Sequence, residues 1–438
     1  MTQSKNISST AQSPLSTMES KLGRLRLPGR SIVTAETKPL VAVIGVGFVG
    51  TGLVDSFSTK YDVLGFDVSE KRVKEAREEF SARPNVKFTT VEAELRKATH
   101  FLISVPTLLL PDKSIDLSYL RSALAKVEKY ARRGCSVVIE SSVAIGATRE
   151  LLGPIARSRG LFAGMSPEAR IITSTRIDPG RAEPPIQEIP KVVSGLDDVA
   201  PGSLEAITRL YGLVFDRVVA VSKPEVAEMT KLYENCQRMM CIAYVNEMAD
   251  ACAAHGIDPF EVCDASASKP FGYMPYNPSL GVGGHCIPVN PYYLLSNSEF
   301  PLLEAAAEKM NKRPAKIAGE LLESLCPKGS RRDSGVIIPK QVLVVGMGFK
   351  AGQSHLVNSP GLQLANELAK YTEVDVMFAD PLVGQDAVPE IPRLADEDWT
   401  KETLEQYDLV VVAYRQWGLD FDVLKELTGD VTVKMFCP

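Results

Sequence analysis

The chain has 438 residues, 45% of them apolar and 24% charged, and its 49 Lys and Arg against 54 Asp and Glu leave a net charge of −5. That length exceeds what one hydrophobic core serves, so two or three domains are expected, and the near balance of charge excludes the basic footprint of a nucleic-acid-binding protein. The longest purely apolar stretches run about ten residues against the roughly twenty of a membrane span, which excludes a membrane-spanning helix and predicts no membrane partner.

Residues 1–37 are crowded with Ser4, Ser8, Ser9, Ser13, Ser16 and Ser20 and lack a sustained apolar period, as expected of a disordered tail. Arg24, Arg26 and Arg30 give it the charge of a transit peptide without the amphipathic pattern. Eight cysteines without a CxxC pair, and only four histidines, fit neither a disulfide framework nor a zinc site. A reducing, cytoplasmic setting and no metal are expected.

From residue 38 onward, short apolar runs alternate with charged stretches of helical period, the pattern of a parallel sheet wound by helices. Runs at 41–44, 62–66, 101–105, 136–140 and 162–165 predict the strands of a first α/β domain over 38–222. Pro224 to about Gly256 has no interior Pro or Gly and predicts one long helix; with a second helical stretch at 302–325 it forms a central region, 223–325. Residues 326–340 mix Pro, Gly, Ser and charges, as linkers do. Strands at 342–345, 374–378 and 409–412 then predict a second α/β domain over 341–438. The expected fold is α/β, two Rossmann-like doubly wound domains joined by a long central helix.

The first strand runs into Gly45-Val46-Gly47-Phe48-Val49-Gly50, and the second ends at Asp67. Glycines there permit a tight turn and let amides at a helix N-terminus approach a pyrophosphate, while the acid accepts from the adenosine ribose hydroxyls. An acid with no Arg beside it favours NAD over NADP. A second turn, Gly346-Met347-Gly348, has its third glycine displaced to Gly352 and its next strand-end acid at Asp380. It either binds a different nucleotide or merely turns the chain.

Cys286 follows the glycine-rich run Gly281-Val282-Gly283-Gly284-His285, which offers a thiol both access and amide donors, although a lone cysteine is more often a small buried apolar residue. On the long helix Lys231 and Asn235 stand four residues apart and share a face: either an ammonium and an amide aimed at one developing charge, or a solvated surface. The same helix carries Met229, Met239, Met240, Tyr244 and Met248, more apolar positions than one buried face needs, which predicts a homodimer through it.

The ordered set GVGFVG (45–50), ISVPT (103–107), IESSVAIGAT (139–148), SPE (166–168), IPKVVSG (189–195), AEMTKLYENC (227–236), GVGGHCIPVNPYYL (281–294) and VLVVGMGFK (342–350) resembles the UDP-glucose/GDP-mannose dehydrogenase family over essentially the whole chain past residue 37. The HCIPV-PYYL wording is similar to the branch acting on UDP-N-acetylhexosamines. The resemblance implies a nucleotide-sugar substrate and oxidation of its primary alcohol to a carboxylate by two NAD+, with Cys286 adding to the intermediate aldehyde and a thioester hydrolysed afterwards. It further implies that Lys231 and Asn235 hold the oxyanion, that Glu168 helps activate water, and that position 290 serves the same site. Cofactor contacts would come from Gly45, Gly47, Phe48, Val49, Gly50, Asp67, Val105, Pro106, Thr107 and Ser142, and substrate contacts from Gly283, Gly284 and Lys350. The third domain would bind the sugar nucleotide, and the central helix would form a dimer.

The chain departs from the family pattern on the substrate and hydrolysis side. Asn290 stands where the family has Asp, Val357 where it has an Arg that reaches the neighbouring subunit's nucleotide, and Ser142 where it has Thr, and about seven extra residues separate Glu168 from Arg176. Two other functions stay open at this point: a diverged enzyme using NAD and Cys286 on a substrate that is not a UDP-sugar, and a weakly active NAD-binding protein.

Overall fold

The computed structural model describes residues 38–167, 188–327, 338–428 and 430–438. Six parallel strands, β1 (Leu40–Ile44), β2 (Asp62–Phe66), β3 (Val86–Thr89), β4 (His100–Ile103), β5 (Ser136–Ile139) and β6 (Phe162–Met165), form the first sheet in the order β3-β2-β1-β4-β5-β6. Both faces are covered, so the central strands are continuous apolar runs: Val41 and Val43 pack into one core with Leu53, Val54 and Phe57, while Ala42 and Ile44 pack into another with Leu120, Leu124 and Leu152. Strand order reverses between β1 and β4, and the carboxyl ends on either side of such a switch point frame a crevice for a ligand.

A short parallel pair, β7 (Lys191–Val193) and β8 (Val218–Ala220), is attached to the β6 edge by bonds from Ser194 and Leu196 amides to the Met165 and Ala163 carbonyls. The last sheet is also parallel, with β9 (Lys340–Val345), β10 (Val374–Ala379), β11 (Leu409–Val412) and β12 (Thr432–Met435) in the order β10-β9-β11-β12.

Six helices frame the crevice and the two cores beside it: α1 (Phe48–Phe57), α2 (Ala147–Arg159), α3 (Pro224–Ala253), α4 (Asn290–Leu295), α5 (Pro301–Leu325) and α6 (Pro360–Leu368). The 30-residue α3 begins with proline in its first turn, where a missing N–H costs nothing, and runs unbroken. Its buried side, including Leu232, Cys236, Met239 and Ala243, packs with Tyr293, Leu294 and the first half of α5. The second half of α5, through Ile317, Ala318, Leu321 and Leu322, lies in the core of the last sheet, so one helix serves two cores. Among the described residues no helix is long and apolar enough to cross a membrane.

The expected strands are present with small shifts. β4 and β5 end before residues 104 and 140, because Ser104 to Thr107 and Glu140 to Ser142 leave the sheet to line the crevice. β3, β7, β8 and β12 were not expected; each has three or four residues, and β3 and β12 carry an exposed lysine or threonine in place of an apolar run.

Candidate active site

The glycine turn after β1 builds one wall of the crevice. Gly45 takes φ +90°, its amide bonds the Phe66 carbonyl at 2.8 Å, and a Cβ there would lie 2.5 Å from the Ser104 carbonyl oxygen. A Cβ on Gly50 would come within 1.8 Å of the Gly45 oxygen, so the third glycine is what lets α1 rise against the turn. Gly47 differs: it is exposed, has φ −69°, and a Cβ would meet nothing within 4 Å. Among the described residues no group requires glycine there, and the bare position leaves the first amides of α1 open to the approach of an anion. Phe48 and Val49 flank the same opening.

Asp67 stands at the end of β2. Its Oδ2 accepts from the Val46 amide and its Oδ1 from the Ser69 amide, both at 2.9 Å. A carboxylate has about four acceptor positions, so both oxygens retain capacity for ribose hydroxyls. The sequence placed no arginine beside this acid, yet the fold brings one: Arg72 donates to the Val46 carbonyl at 2.8 Å and pairs with Glu75 at 2.6 Å. Arg72 is thus paired with Glu75 and a backbone carbonyl, while the Asp67 carboxylate itself disfavours a 2′-phosphate.

The facing wall is stitched together by hydroxyls. Ser141 Oγ donates to the Val105 carbonyl at 2.6 Å, and Thr107 Oγ1 to the Ser142 carbonyl at 2.8 Å, with Pro106 exposed between. Beneath them Glu140 and Lys191 form a buried ion pair at 2.7 Å, and the Tyr211 hydroxyl donates to Glu140. The Lys191 ammonium also reaches the Pro167 carbonyl at 3.1 Å. Glu168 follows directly and lies outside the described residues, as does the extra segment before Arg176.

The thiol lies across the crevice on another element. Cys286 is half-buried, and its carbonyl accepts from the Val289 and Asn290 amides at 3.2 and 2.9 Å. That turn feeds α4, which sequence patterning missed because six residues starting with Asn-Pro show no period. Asn290 thus stands one turn past Cys286, on the same side. On α3, Lys231 is 8% exposed and Asn235 fully buried, so the helix face they share is interior rather than solvated. The Asn235 side-chain amide donates to Asn290 Oδ1, and Arg238 donates to Asn235 Oδ1.

Three neighbours escaped sequence reasoning. Arg238 continues the 231, 235, 238 face of α3, and that helical spacing was the available signal. Glu228, one turn before Lys231, accepts from the Gly146 and Thr148 amides at 2.6 and 2.9 Å and seats the start of α2; burial pushes its carboxyl up. Tyr293 is wholly buried, and its hydroxyl has no hydrogen-bond partner among the described residues. Burial lifts this phenol to about 12, opposed by nearby Thr107 and reinforced by Cys286 and Asp116.

The glycines before the thiol pack on the last domain. Cβ atoms on Gly283 and Gly284 would lie 2.7 and 3.0 Å from Phe349 side-chain atoms, and Gly284 takes φ +90°. The Gly284 amide donates to the Val357 carbonyl at 2.9 Å and its own carbonyl accepts from Asn358 at 3.0 Å. Residue 357 therefore serves this seam through its backbone. Lys350, next to Phe349, is exposed. In the second glycine turn, Asp380 accepts from the Met347 and Gly348 amides at 2.7 and 3.1 Å, so these donors are held internally. Among the described residues no cluster of three or more metal-ligating side chains occurs.

Residues 39–214 match the UDP-glucose/GDP-mannose dehydrogenase family, NAD binding domain, and residues 225–313 match the central domain of the same family. The chain belongs to this family. It is an NAD-dependent oxidoreductase of the nucleotide-sugar 6-dehydrogenase type, with NAD as cofactor. It is 33% identical to a UDP-N-acetyl-D-glucosamine 6-dehydrogenase of Pseudomonas aeruginosa over 80% of this chain and 85% of that protein. It is 29% identical to a UDP-N-acetyl-D-mannosamine dehydrogenase of Pyrococcus horikoshii, over 85% of this chain and 88% of the relative. The fold matches the solved structure of a UDP-D-ManNAc dehydrogenase from Pyrococcus horikoshii with a TM-score of 0.75, at 24% identity, covering 91% of this chain and 99% of that one.

Proposed function

We propose that the protein oxidises the primary alcohol of a UDP-N-acetylhexosamine or UDP-hexose to the uronate through Cys286. The observation carrying this reading is the buried Asn235–Asn290 pair one turn past the half-buried Cys286, with the buried Lys231 on the same face of α3 as Asn235. NAD+, when bound, accepts one hydride in each of two oxidations. In the chain's part of the reaction the alcohol releases its hydroxyl proton to water and gives up the hydride on its carbon, becoming an aldehyde. The Cys286 sulfur then forms a bond to the aldehyde carbon, and Lys231 and Asn235 hold the oxygen that gains charge. Loss of a hydride from this thiohemiacetal leaves a thioester. Water adds to the thioester, the C–S bond breaks, and the carboxylate leaves with Cys286 restored as a thiol. Glu168 helps to activate that water, while Asn290, an amide where the family has a carboxylate, orients water but takes up no proton.

Gly45, Gly47, Gly50 and Asp67 bind the dinucleotide, with Phe48, Val49, Val105, Pro106, Thr107 and Ser142 lining its path. Gly283, Gly284 and exposed Lys350 meet the sugar nucleotide at the seam with the last domain. A homodimer forms through α3, whose free face exposes Met229, Tyr233, Tyr244 and Met248. A thiol nucleophile suits the cytoplasm, and all eight cysteines are free.

The test is NADH release over a panel of UDP- and GDP-sugars. Two NADH per sugar, fastest with a UDP-N-acetylhexosamine, is expected. One NADH per sugar, or release only with a substrate that is not a nucleotide sugar, favours the diverged enzyme that Asn290 and Val357 suggest.

A further inference from the structure

We propose that Arg238 is a positioning residue of this site: it fixes the polarity of the Asn235 and Asn290 amides and makes residue 290 a hydrogen-bond donor to the Cys286 adduct. The inference rests on the reading of Cys286 as nucleophile. An Asn side chain presents an oxygen on one side and an NH2 on the other, and which faces which is set by its neighbours. A guanidinium has five N–H donors and no acceptor. The atom of Asn235 facing Arg238 is therefore Oδ1, its Nδ2 must face Asn290, and the facing atom of Asn290 must be Oδ1.

Donors thus run one way, from Arg238 to Asn235 to Asn290, and the chain ends on the Asn290 NH2. Among the described residues that NH2 has no hydrogen-bond partner, although Asn290 is only 2% exposed. A second donor of the group, Arg238 Nε, is buried and likewise without a partner among them. A buried unmatched donor costs about 1–3 kcal/mol, so Arg238 Nε is set for an oxygen that arrives with a ligand, and the Asn290 NH2 keeps both of its hydrogens for one. Asn290 stands one turn from Cys286, where the oxygen of a carbon bonded to the sulfur develops negative charge. An aspartate at 290 would accept from Asn235 and keep a lone pair for water. The amide reverses that sense: it holds the tetrahedral oxygen and leaves proton removal to another group.

A double-mutant cycle tests this, read out without sugar substrate as the rate of Cys286 alkylation by iodoacetamide and, with substrate, as turnover. A donor at the sulfur favours thiolate, so Arg238→Met is expected to slow alkylation at least threefold and turnover at least tenfold, with KM for NAD+ unchanged. Arg238→Lys, also a donor-only cation, should stay within threefold of the parent. In an Asn290→Ala background the effect of Arg238→Met should shrink below twofold, because the partner through which it acts is gone. If Arg238→Met does not fold, Arg238→Gln takes its place; glutamine presents donor or acceptor, so the same loss is expected. An unchanged alkylation rate in the single variant, or the same factor in both backgrounds, overturns the proposal. If the parent oxidises no nucleotide sugar, the functional reading fails while the alkylation cycle still decides the role of Arg238.

Discussion

Glu228 accepts a 2.9 Å hydrogen bond from the amide of Thr148, eighty positions earlier in the chain. One turn further along α3 stands the buried Lys231, and the next turn carries Asn235, bonded to Asn290 one turn past Cys286, so a single helix both seats the loop that comes after Ser142 and anchors the thiol turn. The cofactor crevice and the thiol turn are held in register by that shared element. Under the proposed function, this coupling would let hydride transfer and covalent chemistry use one carbon atom of the substrate.

Gly47 and Gly50 should separate a ligand requirement from a folding requirement. Gly47→Ala places a methyl in open space, so the melting temperature should hold while NAD+ affinity falls about tenfold or more, as expected for blocked approach to the α1 amides. Gly50→Ala forces a methyl onto the Gly45 oxygen and should cost about 1–3 kcal/mol or more. Calorimetry and cofactor titration on the two variants check this. Equal loss of stability in both would remove the ligand argument at Gly47.

The free face of α3 gives a second expectation. Tyr244→Glu combined with Met248→Glu puts two charges on the exposed apolar side and should convert a dimer to a monomer. Light scattering at micromolar concentration reads this. A parent that is already monomeric contradicts the proposed dimer.

His100, at the start of β4, is held down to about 4 by burial, with Arg209 adding to the effect. Its folded value lies below the ordinary 6.5, so folding prefers the neutral ring. The stabilisation is complete above pH 6.5 and is lost as pH falls through 4, amounting to at most about 3 kcal/mol. Denaturant unfolding between pH 7 and 4 should show a steeper loss in the parent than in His100→Gln. Parallel curves would show that His100 contributes nothing to the acid limb.

Most of the sheet architecture was legible because parallel strands buried on both faces are continuous apolar runs, as at Val41 and Val342. The glycine turn and Asp67 were legible because their spacing is local. Arg72 at the Val46 carbonyl was not, since a side chain reaching back twenty-six residues leaves no local pattern. The grouping around the thiol was half visible. Lys231 and Asn235 share a helix face by spacing alone, but only the packing of α4 against α3 brings Asn290 to Asn235 across fifty-five residues. The second glycine turn resembled a nucleotide site, and only the fold reveals that Asp380 takes up its amides.

Asn290 should make thioester hydrolysis slow, because a missing general base typically costs about a hundredfold or more. Asn290→Asp exchanges the proposed donor at 290 for a base and leaves Lys231 and Asn235 to hold the oxyanion; with proton removal limiting hydrolysis, it is expected to raise turnover about tenfold or more in steady-state NADH release. Turnover unchanged or lowered would mean that the amide is tuned to another base, Glu168 first, or to another substrate.

The central claim is that Cys286 carries the substrate as a thioester, and intact-protein mass spectrometry after mixing with UDP-N-acetylhexosamine and NAD+ tests it most directly. The account predicts a covalent mass increase that maps to Cys286, accumulates in the parent, declines in Asn290→Asp and is absent in Cys286→Ser, which forms no carboxylate. A Cys286→Ser protein that still produces the uronate, with no adduct in the parent, would contradict it.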